Sequence, residues 1–191
     1  MNKNYFEEFK NIFLKIEVSD IKGKAVLLDR AIVEIINLII RQYRRGNKII
    51  FIGNGGSASI ASHIATDFLK NAKIPAIAFN DASLITCLSN DLGYEYVFKK
   101  PLELLSKRGD ILFSISSSGK SKNILNATKE AKKKGCFLIT LSGFSKKNPL
   151  RKLGDINFYL PSNSYGYVEI THLAICHCIV DKIIEDRNSH G

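Results

Sequence analysis

Lys48-Ile49-Ile50-Phe51-Ile52-Gly53-Asn54-Gly55-Gly56-Ser57-Ala58 is an apolar run of strand length that breaks into three glycines and then into a helical pattern. Glycines let a backbone approach a ligand closely, and a helix opening at Ser57 offers unpaired N–H groups and a positive dipole end to an anion. The stretch has the form of a phosphate cradle at the carboxyl end of a parallel strand.

The pattern continues outward from this turn. A helix is predicted over about 57–70, a short strand over 75–79, and a helical region over about 82–107, broken by a turn at Asn90-Asp91-Leu92-Gly93. Asp110 to Ile115 reads as a buried strand that runs into Ser116-Ser117-Ser118-Gly119-Lys120-Ser121 and a helix to about Lys134. Strands follow at 136–141 and 156–160, around a lysine-rich loop, and a last helix spans about 167–185. Upstream, Phe6, Phe9, Phe13 and Ile16 recur at helical spacing. A second helix over about 24–45 carries Leu28, Ile32, Ile35, Ile36, Ile39 and Ile40 and closes with Arg41, Arg44, Arg45 and Gly46. Its broad apolar stripe has two readings, core packing alone or core packing plus contact with another subunit.

Strands alternating with helices give an α/β fold: a five-stranded parallel sheet flanked by helices, with ligands beyond the carboxyl ends of its strands. The expected organisation is an N-terminal helical pair over 1–46, an α/β core over 47–187 and a tail over 188–191.

At 191 residues the chain can bury a core without disulfides or structural metal. Its four cysteines lie in or beside apolar runs with no Cys-x-x-Cys spacing, which points to reduced thiols in a cytoplasmic protein. No apolar run is long enough to cross a bilayer, and the polar N-terminus lacks the layout of a signal peptide. The net charge of +10 raises nucleic acid as a partner, but the lysines are spread along the chain, which favours a solvated surface and a small anionic ligand.

Gly53-x-Gly55-x-x-Ala58 with Asp81 matches the loose dinucleotide fingerprint, a weak signal on its own. Ser118-Gly119-Lys120-Ser121 ends like a nucleotide P-loop, but the position of its first glycine is Ser114. The hydroxyls of Ser116, Ser117, Ser118 and Ser121 are more than a helix cap needs and favour an anion site. His63 and Asp67 share one helix face, and Glu169, His172 and His177 interrupt an apolar helix. A lone histidine there would be a core residue, whereas this set has ligand chemistry for a divalent metal.

Gly53-Asn54-Gly55-Gly56-Ser57-Ala58, Ser89-Asn90-Asp91, Ser114 to Ser121 and Glu169-x-x-His172-x-x-x-x-His177 occur in that order, and with them the chain resembles the sugar isomerase (SIS) domain proteins. Within these it is most similar to the phosphoheptose isomerases, which convert sedoheptulose 7-phosphate into D-glycero-D-manno-heptose 7-phosphate. The resemblance covers nearly the whole chain. It implies a cytoplasmic homotetramer with zinc in active sites built between subunits; the spread of the lysines and the short apolar runs argue against a nucleic-acid or membrane partner. It implies sugar-phosphate contacts from Asn54, Gly55, Gly56, Asn90, Asp91, Ser116, Ser117, Ser118, Ser121 and Glu169. It implies metal ligands at His63, Asp67, Glu169 and His177, with Asp67 and His177 also as catalytic base and acid.

Two positions depart from the family pattern, which has Glu where this chain has Asp67 and Gln where it has Glu169. Asp67 is a methylene shorter, and Glu169 adds a carboxylate that favours a cation and repels an anionic substrate. On one straight helix, Glu169 and His177 stand about 12 Å apart along the axis. Either Glu169 precedes regular helix or the site combines residues of different subunits. The alternatives to a heptose phosphate isomerase are a non-catalytic SIS protein that binds sugar phosphates or other proteins, and an isomerase of another phosphosugar.

Overall fold

A computed structural model describes residues 4–189, with the side chains of 188 and 189 left aside. The chain order is α1 (Tyr5–Phe13), β1 (Glu17–Asp20), β2 (Ala25–Val26), α2 (Leu28–Tyr43), β3 (Ile49–Gly53), α3 (Gly56–Lys70), β4 (Ala76–Ala78), α4 (Ala82–Leu92), α5 (Lys99–Leu105), β5 (Ile111–Ser116), α6 (Lys122–Lys133), β6 (Phe137–Ser142), β7 (Ile156–Tyr159) and α7 (Tyr165–Ser189). Short 3-10 turns stand at Tyr94–Tyr96 and Leu150–Lys152.

Five strands, in the order β7-β6-β5-β3-β4, run parallel as expected. The sheet itself has seven strands, because β1 pairs antiparallel with β7 and with β2. The expected N-terminal helical pair is therefore interrupted by a hairpin. Asp20 makes its turn: its carboxylate accepts from the N–H groups of Lys22 and Lys24 at 2.9 and 2.8 Å, and Gly23 takes a φ of 79°. Glu17 ties β1 down through Lys146 and Arg151, each at 2.8 Å. The hairpin occupies residues 25 and 26, so α2 starts at Leu28 rather than near 24. At the other end α7 continues through Ser189 into the expected tail, of which His190 and Gly191 lie outside the described residues.

Helices α2, α3 and α7 cover one sheet face over a core that includes Ile35, Ile64, Phe68, Phe113 and Ile179, with Phe51 stacked on Phe113 at 4.7 Å. Helices α4, α5 and α6 cover the other over Ile50, Ile52, Leu112 and Leu138. The strands between them are buried on both faces, hence their continuous apolar runs. Asp110, fully buried before β5, accepts from the backbone N–H groups of Lys48 and Lys107 and pairs with the Lys48 ammonium at 2.6 Å. It thereby joins the starts of β3 and β5, which sets their shared register and places Gly53 beside Ile115 at the far end.

Candidate active site

Leaving β3 the chain moves to β4 on one side, and leaving β5 it moves to β6 on the other, so their carboxyl ends frame the switch point where open α/β sheets hold ligands. The glycine turn and the serine loop face each other there. They enclose a cleft of about 120 Å³ lined by Asn54, Ser57, Ser116, Ser117, Ser118, Ser121, Tyr165 and Glu169, among others. Gly55, at φ 53° and ψ −124°, takes a conformation that a side chain would oppose. A Cβ on Gly56 would run into the Glu169 carboxylate, so α7 rests directly on the start of α3. That carboxylate stands where the α3 dipole favours negative charge.

The serine hydroxyls are not spent on capping. Ser121 has the backbone conformation of the α6 N-cap, yet its side chain makes no cap bond. The Ser116 hydroxyl reaches Ser121 Oγ at 3.4 Å and accepts from Gly119 N–H at 3.2 Å, while Ser118 Oγ accepts from Lys120 N–H at 3.2 Å. Ser117 Oγ is buried without a partner among the described residues. Gly119, at φ 61°, lies against the buried Asn148 amide, which donates to Ser142 Oγ and to the carbonyls of Gly143 and Ser145 and so fixes the loop from below.

Asn54 is held by partners that the sequence does not flag. Its amide pairs reciprocally with that of Asn123, at 3.0 and 2.8 Å, and its Oδ1 also accepts from the Tyr94 hydroxyl at 3.1 Å. With two donors on Oδ1, Asn54 has an N–H left for a ligand, and the Tyr94 oxygen keeps its lone pairs at the mouth of the site. Asn123 carried a signal as a polar residue in the first turn of a helix, whereas Tyr94 depends on the 3-10 turn after α4.

A second group sits on the faces of α3 and α7 turned away from the sheet. His63 and Asp67, one turn apart on α3, meet His177 of α7: the two histidine Nε2 atoms are 3.2 Å apart and His63 Nε2 is 3.4 Å from Asp67 Oδ2. A tetrahedral zinc ion with bonds of about 2.0–2.1 Å separates its ligand atoms by about 3.3 Å. His63 thus stands at ligand spacing from both partners, while Asp67 Oδ2 is 3.8 Å from His177 Nδ1 and all three groups offer donors within 4.8 Å of one another, so this two-imidazole, one-carboxylate set can close on a divalent metal.

Glu169 is not in that group. It lies within regular α7, which begins at Tyr165, so the reading in which Glu169 precedes the helix is corrected and the separation of about 12 Å from His177 stands within one chain. Asn90 and Asp91 are exposed on the last turn of α4, bonded to each other at 2.8 Å, and neither lines the cleft. Asp81 is the N-cap of α4, accepting from Leu84 N–H at 2.9 Å; hydrogen bonds from Ser83 and Leu84 hold its carboxyl below the usual range, so it serves the helix rather than a ribose.

His172 also stands apart. It is 1 % exposed on the core side of α7, and neither ring nitrogen reaches hydrogen-bond geometry with a described residue, although the Ser142 backbone lies close by. Burial pushes its imidazole down to about 4 and the nearby Cys176 thiol up to about 12, so both are neutral core groups at physiological pH.

A sequence model of the SIS domain matches residues 5–143. The phosphoheptose isomerase of Sulfurimonas denitrificans is 36% identical over 197 aligned residues, covering 100% of this chain and 99% of that one. The phosphoheptose isomerase of Helicobacter hepaticus is 36% identical over 174 residues, 88% of each. Among solved structures, the phosphoheptose isomerase of Neisseria gonorrhoeae superposes with a TM-score of 0.82 at 27% identity, covering 94% of this chain and 95% of that one.

Proposed function

This chain belongs to the phosphoheptose isomerases of the SIS domain family, and we propose that it interconverts sedoheptulose 7-phosphate and D-glycero-D-manno-heptose 7-phosphate through an enediolate. One observation carries the reading: the serine loop meets the first turns of α3 and α7 in an anion cradle, with Ser117 Oγ unpartnered among the described residues, and a separate His–His–Asp group stands further along those two helices. That arrangement suits a chain substrate whose phosphate and reacting carbonyl lie at opposite ends.

Ser116, Ser117, Ser118 and Ser121 hold the phosphate, with the α6 N-terminus behind them, and so orient the sugar. Asn54 donates its remaining N–H to a substrate oxygen. Asp67 takes the proton from C1 and returns it at C2, and His177 protonates or polarises the substrate oxygens as charge moves between them. His63, Asp67 and His177 would hold a divalent metal, zinc by donor type, and such an ion when bound would supply Lewis-acid stabilisation to the developing charge.

Glu169 supports a site shared between subunits. Within one chain it lines the phosphate cleft, out of reach of an ion held by His177, so only a second copy can bring a Glu169 to that group. Apolar side chains on α1, α2 and α3, including Phe6, Val33 and Leu69 at 76, 54 and 58 % exposure, offer surface for such copies, in keeping with a homotetramer. No helix among the described residues is long and apolar enough to cross a membrane, and the free thiols fit a cytoplasmic enzyme.

Mixing inactive Glu169→Ala and His177→Ala variants, unfolded and refolded together, tests the reading. Hybrids that regain a fraction of wild-type turnover are expected. Folded hybrids with no turnover, from two variants each inactive alone, would contradict a shared site.

A further inference from the structure

The amino-terminal end of the sheet, opposite the serine loop, carries a group of cations that the isomerase reading does not use. Gln42, Arg45 and Asn47 at the end of α2, Arg108 before β5, and Lys133 and Lys134 at the end of α6 line an open cleft of about 700 Å³ that contains no carboxylate. It shares Arg45 with a neighbouring cleft of about 870 Å³, where Arg41, Arg44 and Arg187 stand with one acid, Asp186.

Basic residues at helix ends ordinarily satisfy terminal carbonyls and the helix dipole. Some do so here: Lys107 donates to the Gly46 carbonyl and Lys134 to that of Glu103, each at 2.8 Å, and Lys133 makes a long surface pair with Glu130 at 3.8 Å. Arg41, Arg44, Arg45 and Arg108 have no carboxylate or carbonyl partner among the described residues. The cleft floor is polar as well. Gln42 and Asn47, 2 and 8 % exposed, are joined by one bond at 2.9 Å from the Asn47 amide, and among the described residues neither N–H group of the Gln42 amide has an acceptor.

We propose that this cleft, centred on Arg45 and Arg108, is a second anion site that takes a small ligand with two or more adjacent phosphates. Guanidinium forks match phosphate oxygens in pairs, and four of them spread over adjoining clefts exceed what one phosphate can engage. A single-stranded nucleic acid is a poorer fit, because its successive bases need several stacking platforms, whereas this cleft is lined by a single half-buried aromatic, Phe137, and in the neighbouring cleft the Tyr43 ring already carries the Arg187 guanidinium at 5.1 Å. The site is remote from the chemistry, since Asn47, Arg108 and Phe137 stand at the starts of β3, β5 and β6, while the glycine turn and serine loop follow the far ends of β3 and β5.

Calorimetric titration with tripolyphosphate tests this on the full-length protein, with excess magnesium so that the probe does not strip a site metal. Tripolyphosphate is expected to bind at least tenfold more tightly than orthophosphate, to weaken at least tenfold in Arg45→Ala/Arg108→Ala, and to be unchanged in Ser118→Ala/Ser121→Ala. Turnover of the arginine variant should match wild type. Binding that survives the arginine substitutions, or that disappears with the serines, would overturn the proposal. So would no binding, or tighter binding of a ten-nucleotide single strand lost with the same arginines.

Discussion

Replacing His172 by leucine separates a core histidine from a functional one, and the structure sets the size of the effect. Burial lowers the imidazole from 6.5 to about 4. A depressed histidine pKa means that the unfolded chain binds the proton more readily, so the stability contributed by the neutral ring is full above about pH 6.5 and is lost as pH falls toward 4. The slope approaches 1.4 kcal/mol per pH unit, and integration from pH 7 to pH 5 gives a loss of about 2 kcal/mol. Leucine does not titrate, and it leaves no unpaired ring nitrogens in the core, so His172→Leu should lie within about 1.5 kcal/mol of wild type at pH 7. Urea unfolding at pH 7 and pH 5, at one fixed protein concentration, measures the difference. The variant should lose about 2 kcal/mol less than wild type on acidification, which cancels the contribution of every other titrating group. Equal losses would refute the assignment of His172 as a neutral core residue.

Ser121→Ala should raise KM for the sugar phosphate by about 10- to 100-fold, the loss of one hydrogen bond to a charged group, while leaving the melting temperature unchanged because its hydroxyl caps nothing. Tyr94→Phe should raise KM by a few fold and leave kcat and stability close to wild type, since it frees Asn54 Oδ1 in an exposed part of the site; steady-state kinetics at several substrate concentrations separates the two constants. Asp110→Ala removes the acceptor of two backbone N–H groups and the partner of Lys48, and should cost about 2–4 kcal/mol in urea unfolding at pH 7.

The parallel half of the sheet was legible because strands buried on both faces must be continuously apolar, as 49–52 and 111–113 are. The β1–β2 hairpin was not: its strands are four and two residues long, too short for alternation to show, and its mark was the Asp20 to Gly23 turn. The glycine turn and serine loop announced a phosphate site through residue type alone, and their convergence follows from strand order. His172 was readable in principle, for it shares the α7 core stripe with Val168, Ile175, Ile179 and Ile183, while Glu169 and His177 fall off it. The contact between His63 and His177 joins α3 to α7 across 114 residues, and no local pattern encodes it.

The most direct measurement is NMR of the purified, metal-analysed oligomer incubated with sedoheptulose 7-phosphate. An aldoheptose phosphate should appear, stop appearing after chelation, and reappear with zinc. A folded, metal-loaded oligomer that forms none would contradict the assignment.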